Sequence, residues 1–403
     1  MSIPEFEALR EAAYLDFSEG RLEDALWQLQ SLNEKWGGAD FRILNDLAVV
    51  AFRLGRVGEA AGYFLQAHRQ QAEAGELLID NLVEAVKGLS AESSLEVGNQ
   101  VTISSSQASE WLAQWLGDSA SALHADAQRL SDAQWASVLF DSVAGKPFNG
   151  HLLPAFIGED AQRMFVGSSG VAALQEAQRF MQVLLAQLSK HGLSLSDDSV
   201  AVDFGSGWGR YTRFMLKYVH PDNLYGLEVN QGMVEHCRKA FGMANFLKVG
   251  TLPPCPLRSG MVDLVFGYSV FSHLAPHCAD AWIAEFARVT KPGALVLMTT
   301  QGRSFIDFCR DVRESGDRSH PWFISLAKAF ADSEQAFRDY DVGQFLHFGE
   351  GQYGGTYGES LIPRGYIERC WGRYFDLVDF IDDRQVLPQA LFVLRRNSLV
   401  CAA

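Results

Sequence analysis

Val202-Asp203-Phe204-Gly205-Ser206-Gly207-Trp208-Gly209-Arg210 joins a short apolar run to a glycine-spaced turn. Glycine at 205 and 207 lets the backbone turn sharply and approach a ligand where a Cβ would clash. The turn feeds a helical segment, GRYTRFMLKYVH, whose first free N–H groups favour an anionic group. The spacing is GxGxG and not the GxGxxG of the dinucleotide fingerprint. Asp203 stands two residues before the first glycine. A carboxylate there suits a ligand with positive charge and opposes a pyrophosphate. Glu228 ends the next β-rich run, 25 residues beyond Asp203, where an acid accepts hydrogen bonds from a ribose diol. The turn alone is weak evidence. Turn and two acids together make a strong pattern, and one that opposes a dinucleotide site.

Working outward, β-rich runs alternate with helical ones from about residue 196: SVAVDFG (199–205), NLYGLEV (223–229), ANFLKVG (244–250), MVDLVFGYS (261–269), ALVLMTT (294–300), YFDLVDFI (374–381) and ALFVLRR (390–396). This alternation predicts an α/β domain with a parallel sheet and crossover helices. Its helices include QGMVEHCRKAFG and CADAWIAEFARVTKPG. The latter carries Trp282, Phe286 and Val289 on one stripe and is expected to stop at Pro292-Gly293.

Upstream the pattern is helical. AAYLDFSEGRLEDALWQL is echoed by AVVAFRLGRVGEAAGYFL, and Gly20-Arg21 recurs 35 residues later as Gly55-Arg56. Phe17 maps onto Phe52, Leu22 onto Val57, Asp24 onto Glu59 and Ala25 onto Ala60. The period and pattern resemble tetratricopeptide (TPR) repeats, of about 34 residues. Residues 1–90 are assigned to two such units, with 76–88 as a capping helix. They form either a helical pair packed on a partner domain or a docking surface for a protein partner or second protomer. Serine-rich 91–109 reads as a linker, and 110–165, with Trp111, Trp115 and Trp135, as a helical connecting region. The α/β domain then occupies 166–403.

The bulk properties exclude several classes. The chain has 403 residues, 48% hydrophobic and 21% charged, which opposes global disorder. A formal net charge of −15 makes nucleic acid a poor partner. No apolar run reaches the roughly 18 to 20 residues of a membrane span, and the N-terminus lacks a signal-peptide pattern. The six cysteines form no CxxC pair, which favours reduced thiols in a cytoplasmic protein and no metal site.

VDFGSGWGRYTRF, NLYGLEVNQGMVEHCR, MVDLVFGYSVFSHL and WIAEFARVTKPGALVLMTT resemble the successive motifs of class I S-adenosylmethionine (SAM)-dependent methyltransferases, over about Phe165 to Arg396. A bacterial subgroup associated with glycan biosynthesis is resembled more closely, through the element Arg163–Leu174, SVFSHL and YGESLIPRGYIERCWGRYF. The resemblance implies a seven-stranded Rossmann-like sheet and SAM as cofactor. It places Asp203, Gly205, Ser206 and Gly207 on the methionine side, Glu228 at the ribose and Gly250, Thr251 and Leu252 at the adenine. Arg210, Val229 and Tyr268 complete the implied cofactor set. GTLPPCPL departs from the polar or acidic residue common near the adenine, so backbone groups and apolar contact are expected to serve there.

Methyl transfer requires an aligned acceptor and, for a hydroxyl, a proton acceptor. Tyr268, Ser269 and His273 follow the fourth strand and are the catalytic candidates, His273 as general base or, alternatively, as a helix-capping histidine. His277 pairs with His273 at helical spacing, but Pro276 between them opposes a metal pair. Glycine- and tyrosine-rich 340–360 reads as a loop, with His347, Glu350, Tyr353, Tyr357 and Glu359 facing the acceptor. Arg364 and Arg369 read as surface charges. The expected activity is O-methylation of a sugar or glycan intermediate. The alternatives are a small metabolite or protein side chain as acceptor, or a non-catalytic adaptor.

Overall fold

The computed structural model describes residues 3–36, 40–56, 59–60, 63–64, 67, 94–96, 102–104, 120–151, 153–349 and 355–398. The chain divides into two compact units, Met1–Asp118 and Ser119–Ala403. The expected boundary at residue 166 does not coincide with this division. Ala120, Leu123, Ala127, Trp135 and Leu139 share one buried core with the helix Gly170–Lys190 and the sheet. Trp111, Trp115 and 76–88 lie outside the described residues.

In the first unit, α1 (Ile3–Ser18), α2 (Leu22–Trp36) and α3 (Phe41–Arg53) bury Phe6, Leu26, Leu29, Leu32, Leu44 and Leu47 together. The sequence period reappears in the backbone. Gly20 and Gly55 both turn through positive φ, +80° and +75°, and their N–H groups donate to Phe17 and Phe52. Arg21 N–H then bonds Asp16 O, and Arg56 N–H bonds Ala51 O, each at 2.9 Å. Ala25 and Ala60 are both fully buried, which lets the helices approach closely. The segment read as a linker contains a two-stranded antiparallel ribbon, β1 (Ser94–Glu96) with β2 (Thr102–Ser104).

In the second unit, α4 (Asp132–Ser142), α5 (Glu159–Val166) and α6 (Gly170–Lys190) precede the sheet. There follow β3 (Ala201–Phe204), α7 (Thr212–Met215), β4 (Leu224–Glu228), α8 (Gln231–Phe241), β5 (Phe246–Lys248), β6 (Val262–Gly267), α9 (Pro276–Val289) and β7 (Thr290–Thr300). Three inserted helices come next, α10 (Phe305–Ser315), α11 (Pro321–Leu326) and α12 (Ser333–Asp341). The ribbon β8 (Leu346–Phe348) with β9 (Glu359–Leu361) precedes the closing strands β10 (Phe375–Ile381) and β11 (Ala390–Arg396).

All seven expected strands form one sheet, in the order β10-β11-β7-β6-β3-β4-β5. Pairs among β3 to β7 are parallel, and β11 runs antiparallel to both β7 and β10. Alternation along the strands sorts the core. Ala201, Leu264, Phe266 and Leu297 face α6. Val202, Phe204, Val265 and Met298 face Trp282, Ile283 and Phe286 of α9.

Three expectations are corrected. Helix α9 ends at Val289, because Thr290 is already extended (φ −82°, ψ 145°), so Pro292-Gly293 fall inside β7 instead of stopping the helix. The helix after the glycine turn shortens to four residues. Part of 340–360, expected as a loop, is the β8–β9 ribbon.

Candidate active site

The sheet order reverses at the β3/β6 boundary, where doubly wound sheets bind ligands at the strands' carboxyl ends. Two loops leave there, Gly205–Gly209 after β3 and Tyr268–Leu274 after β6.

The first loop turns through three glycines of positive φ. At Gly205 (φ +74°) a Cβ would stand 2.4 Å from Val270 Cγ2, and at Gly209 (φ +77°) 2.4 Å from the Phe241 ring. Only glycine meets both demands. Gly205 and Ser206 N–H groups bond Leu227 O, which fixes the loop against β4. Asp203 is 1% exposed, and its Oδ2 accepts from Thr212 Oγ1 at 2.6 Å. Burial pushes its carboxyl up to about 7; the nearby Glu228 adds to this, and the Thr212 hydrogen bonds and Arg210 oppose it. Asp203 Oδ1 and Ser206 Oγ are buried without a hydrogen-bond partner. Such atoms beside a glycine turn are what a bound ammonium group would satisfy.

Glu228, at the end of β4, accepts from Gly207 N–H (2.9 Å) and Asn230 N–H (2.7 Å). Each carboxylate oxygen keeps a second lone pair for a ribose hydroxyl. Val229 and Leu252 are 51% and 44% exposed, apolar surfaces of the kind a purine covers. Thr251 is also exposed, and its carbonyl accepts from Trp282 Nε1 at 3.0 Å.

Arg210 is buried. Its guanidinium lies 4.7 Å over the Tyr211 ring, donates to Tyr211 Oη at 2.6 Å and approaches Glu176 at 3.4 Å. Tyr268 packs between Phe180 and Tyr211, with ring centroids at 5.1 and 5.7 Å, and burial pushes its hydroxyl up to about 12. Arg213, missed in the sequence, is fully buried with no acidic partner among the described residues. It donates to Gly209, Pro154 and Ala155 carbonyls and lies 4.2 Å from the Phe156 ring. It thereby ties residues 154–156 to the glycine turn, and burial lowers its guanidinium to about 9.

The second loop holds Ser269 at φ +61°. Its N–H donates to Thr299 Oγ1 (2.7 Å), and its Oγ accepts from Gln389 Nε2 (2.9 Å). His273 Nδ1 lies 2.8 Å from Gly358 O. A carbonyl only accepts, so Nδ1 carries the proton and Nε2 keeps its lone pair, 3.4 Å from Ser269 Oγ. Tyr357 stacks on the His273 ring at 4.8 Å and 12°. Glu359 Oε2 lies 3.8 Å from His273 Nδ1. Its two oxygens accept from Gln301 Nε2 (3.0 Å) and Trp322 Nε1 (2.7 Å). His347 Nδ1 bonds Ser360 Oγ at 2.8 Å, and burial, then His277 and His273, lower its imidazole.

The structure thus gathers Ser269, His273, His347, Tyr357 and Glu359, which lie up to 90 residues apart. Glu350 and Tyr353 lie outside the described residues. Gln301, Trp322 and Gln389 were not anticipated. Gln301 follows the end of β7, a position the strand-end rule marks, whereas Trp322 carries no motif. His277 sits 3.3 Å from Cys278 Sγ. No group of three His, Cys, Asp or Glu among the described residues is arranged to hold a metal.

Residues 201–293 match the family model described as a methyltransferase domain. The chain is a methyltransferase. No curated protein matches the sequence. Solved structures similar to it include a SAM-dependent methyltransferase from Aquifex aeolicus, 16% identical over 52% of this chain and 87% of that one, at a TM-score of 0.31. Another is a SAM-dependent methyltransferase from Clostridium acetobutylicum, 9% identical over 55% and 92%, at 0.36. A third is geranyl diphosphate C-methyltransferase from Streptomyces coelicolor, 11% identical over 54% and 77%, at 0.35. These likenesses are too slight to bear on the acceptor. The matched segment contains the glycine turn, both acids and His273, and ends before Gln301, Trp322 and Glu359.

Proposed function

We propose that this methyltransferase acts on a hydroxyl oxygen of a sugar or glycan intermediate, with His273 as general base. The observation that carries the proposal is the tautomer of His273. Its Nδ1–H is taken by Gly358 O, so Nε2 offers a lone pair beside Ser269 at the end of β6. Bound SAM supplies an electrophilic methyl group on a sulfonium. Asp203 and Ser206 hold the ammonium end through their unpartnered oxygens, and Glu228 holds the ribose while Val229 and Leu252 cover the purine. Tyr268 and Arg210 close the methionine side against α6. His273 Nε2 then takes the acceptor's hydroxyl proton as the oxygen attacks, and Gln389 fixes Ser269 beside it.

The sugar reading draws on the resemblance to glycan-associated methyltransferases. It is supported by the mixed surface around His273, where Tyr357 gives an aromatic face and His347 a polar partner for hydroxyls. The N-terminal repeats are read as TPR-like and as a docking module for a protein partner or a second copy. The equivalent turns at Gly20 and Gly55 support this, as does a concavity of about 480 Å³ lined by Arg10, Tyr14, Phe17, Leu29, Asp46 and Val50. A cytoplasmic setting fits the free thiols of Cys237, Cys255, Cys278, Cys309 and Cys370. No described helix is long and apolar enough to cross a membrane.

The test uses SAM with a labelled methyl group against nucleotide sugars, oligosaccharides, phenols and peptides. Transfer to sugar hydroxyls, reduced about a hundredfold or more in His273→Ala, is expected. Transfer to peptides or phenols alone overturns the acceptor, and undiminished turnover in His273→Ala overturns the base. Glu228→Ala, titrated with SAM, is expected to weaken binding at least tenfold.

A further inference from the structure

Glu359 is 7% exposed, and among the described residues His273 is the only side chain able to carry a positive charge within 4.0 Å of its carboxylate. Its other partners, Gln301 and Trp322, are neutral N–H donors. A buried carboxylate bound only by neutral donors retains a strong preference for a nearby positive charge. That charge appears on His273 when the imidazole takes a proton at Nε2. The Nδ1–H stays on Gly358 O, and the new imidazolium faces Glu359 Oε2 at 3.8 Å.

The placement of Glu359 depends on the inserted helices. Trp322 belongs to α11, where it stands against Phe308 and Phe323 with ring centroids at 5.7 and 5.8 Å. Its indole N–H reaches out of that aromatic cluster to Glu359 Oε1 at 2.7 Å. Gln301, the residue that follows β7, holds the other oxygen from the sheet side. The carboxylate is therefore clamped between the sheet and the insertion and aimed at the ring edge opposite the reacting nitrogen.

We infer that the inserted helices enter catalysis through Trp322, which positions Glu359 to stabilise His273 when it is protonated. Glu359 and Trp322 are positioning residues in this arrangement, and they act on the acceptor only through the imidazole. The inference rests on the reading of His273 as the base. It assigns a role to an insertion that the matched methyltransferase segment does not include. It also gives Glu359 a different task from the acceptor contact expected from its sequence neighbourhood.

The test needs no acceptor. Full-length protein labelled with ¹⁵N-histidine gives ring-nitrogen signals from its ten histidines, and His273→Gln identifies the signal of His273. Glu359→Gln and Trp322→Phe are compared with Ile324→Ser, an exposed change on the same helix. The expected result is a displaced His273 ring signal in Glu359→Gln and in Trp322→Phe, an undisplaced one in Ile324→Ser, and unchanged SAM affinity in all three. Trp322 is 40% exposed and Glu359→Gln is isosteric, so both variants are expected to fold. A His273 signal that stays in place in both variants overturns the inference, as does an equal displacement in Ile324→Ser. The parent reading fails separately, by full methyl transfer in His273→Ala.

Discussion

Asp203→Asn tests whether the glycine turn carries a carboxyl held back from ionising until a cation arrives. In the folded protein the Asp203 carboxyl is pushed from 3.8 to about 7, chiefly by burial. Between those values the folded chain binds more protons than the unfolded chain. The stability tied to this group is therefore fully present below about pH 4 and is lost as pH rises to about 7. At about 1.4 kcal/mol for each unit of pH, the whole loss is about 4 kcal/mol, of which about 3 kcal/mol falls between pH 5 and pH 8. Asparagine cannot ionise and keeps an oxygen for Thr212. Urea unfolding of both proteins at pH 5, 6, 7 and 8 should show the variant gaining on the wild type as pH rises and levelling off above 7. A stability difference that is constant over this range refutes the reasoning. The counterpart is in binding: SAM, which brings positive charge, should lose affinity for the wild type by up to about tenfold per unit as pH falls below about 7. Asp203→Asn should bind weakly at every pH.

Arg213→Lys should destabilise the second unit by about 2 to 3 kcal/mol in urea unfolding, because an ammonium cannot span the Gly209, Pro154 and Ala155 carbonyls as the guanidinium does. Gly209→Ala should cost about 1 to 3 kcal/mol through the Phe241 clash and the positive φ, and should weaken SAM binding measured by titration.

The seven strands and the glycine turn were legible because they are local in sequence. A β-rich run, a glycine spacing and two acids 25 residues apart are all read without knowing what packs on what. The 35-residue period was legible for the same reason, and the paired glycines adopt matching turns. The end of α9 was misplaced because Pro292-Gly293 reads as a stop, whereas the pairing of Val262 with Thr290 starts the strand two residues before Pro292. The role of 120–157 was hidden because its apolar residues find their partners in α6 and across the sheet. The clamp on His273 was out of reach for a related reason. Gly358 acts through its carbonyl, and Trp322 through an N–H on an inserted helix with no periodic link to the site.

Strand β9 is gripped on both sides. Ser360 N–H bonds Ser272 O, Gln301 N–H bonds Ser360 O, and Ile362 N–H bonds Thr300 Oγ1. Side chains alternate along a strand, so a slip of one residue would put either Ser360 or Gly358 where Glu359 stands, and would take the Ser360 hydroxyl away from Leu274 O. A single deletion within 359–362 would therefore dismantle the His273 side of the site without touching a residue of the glycine turn.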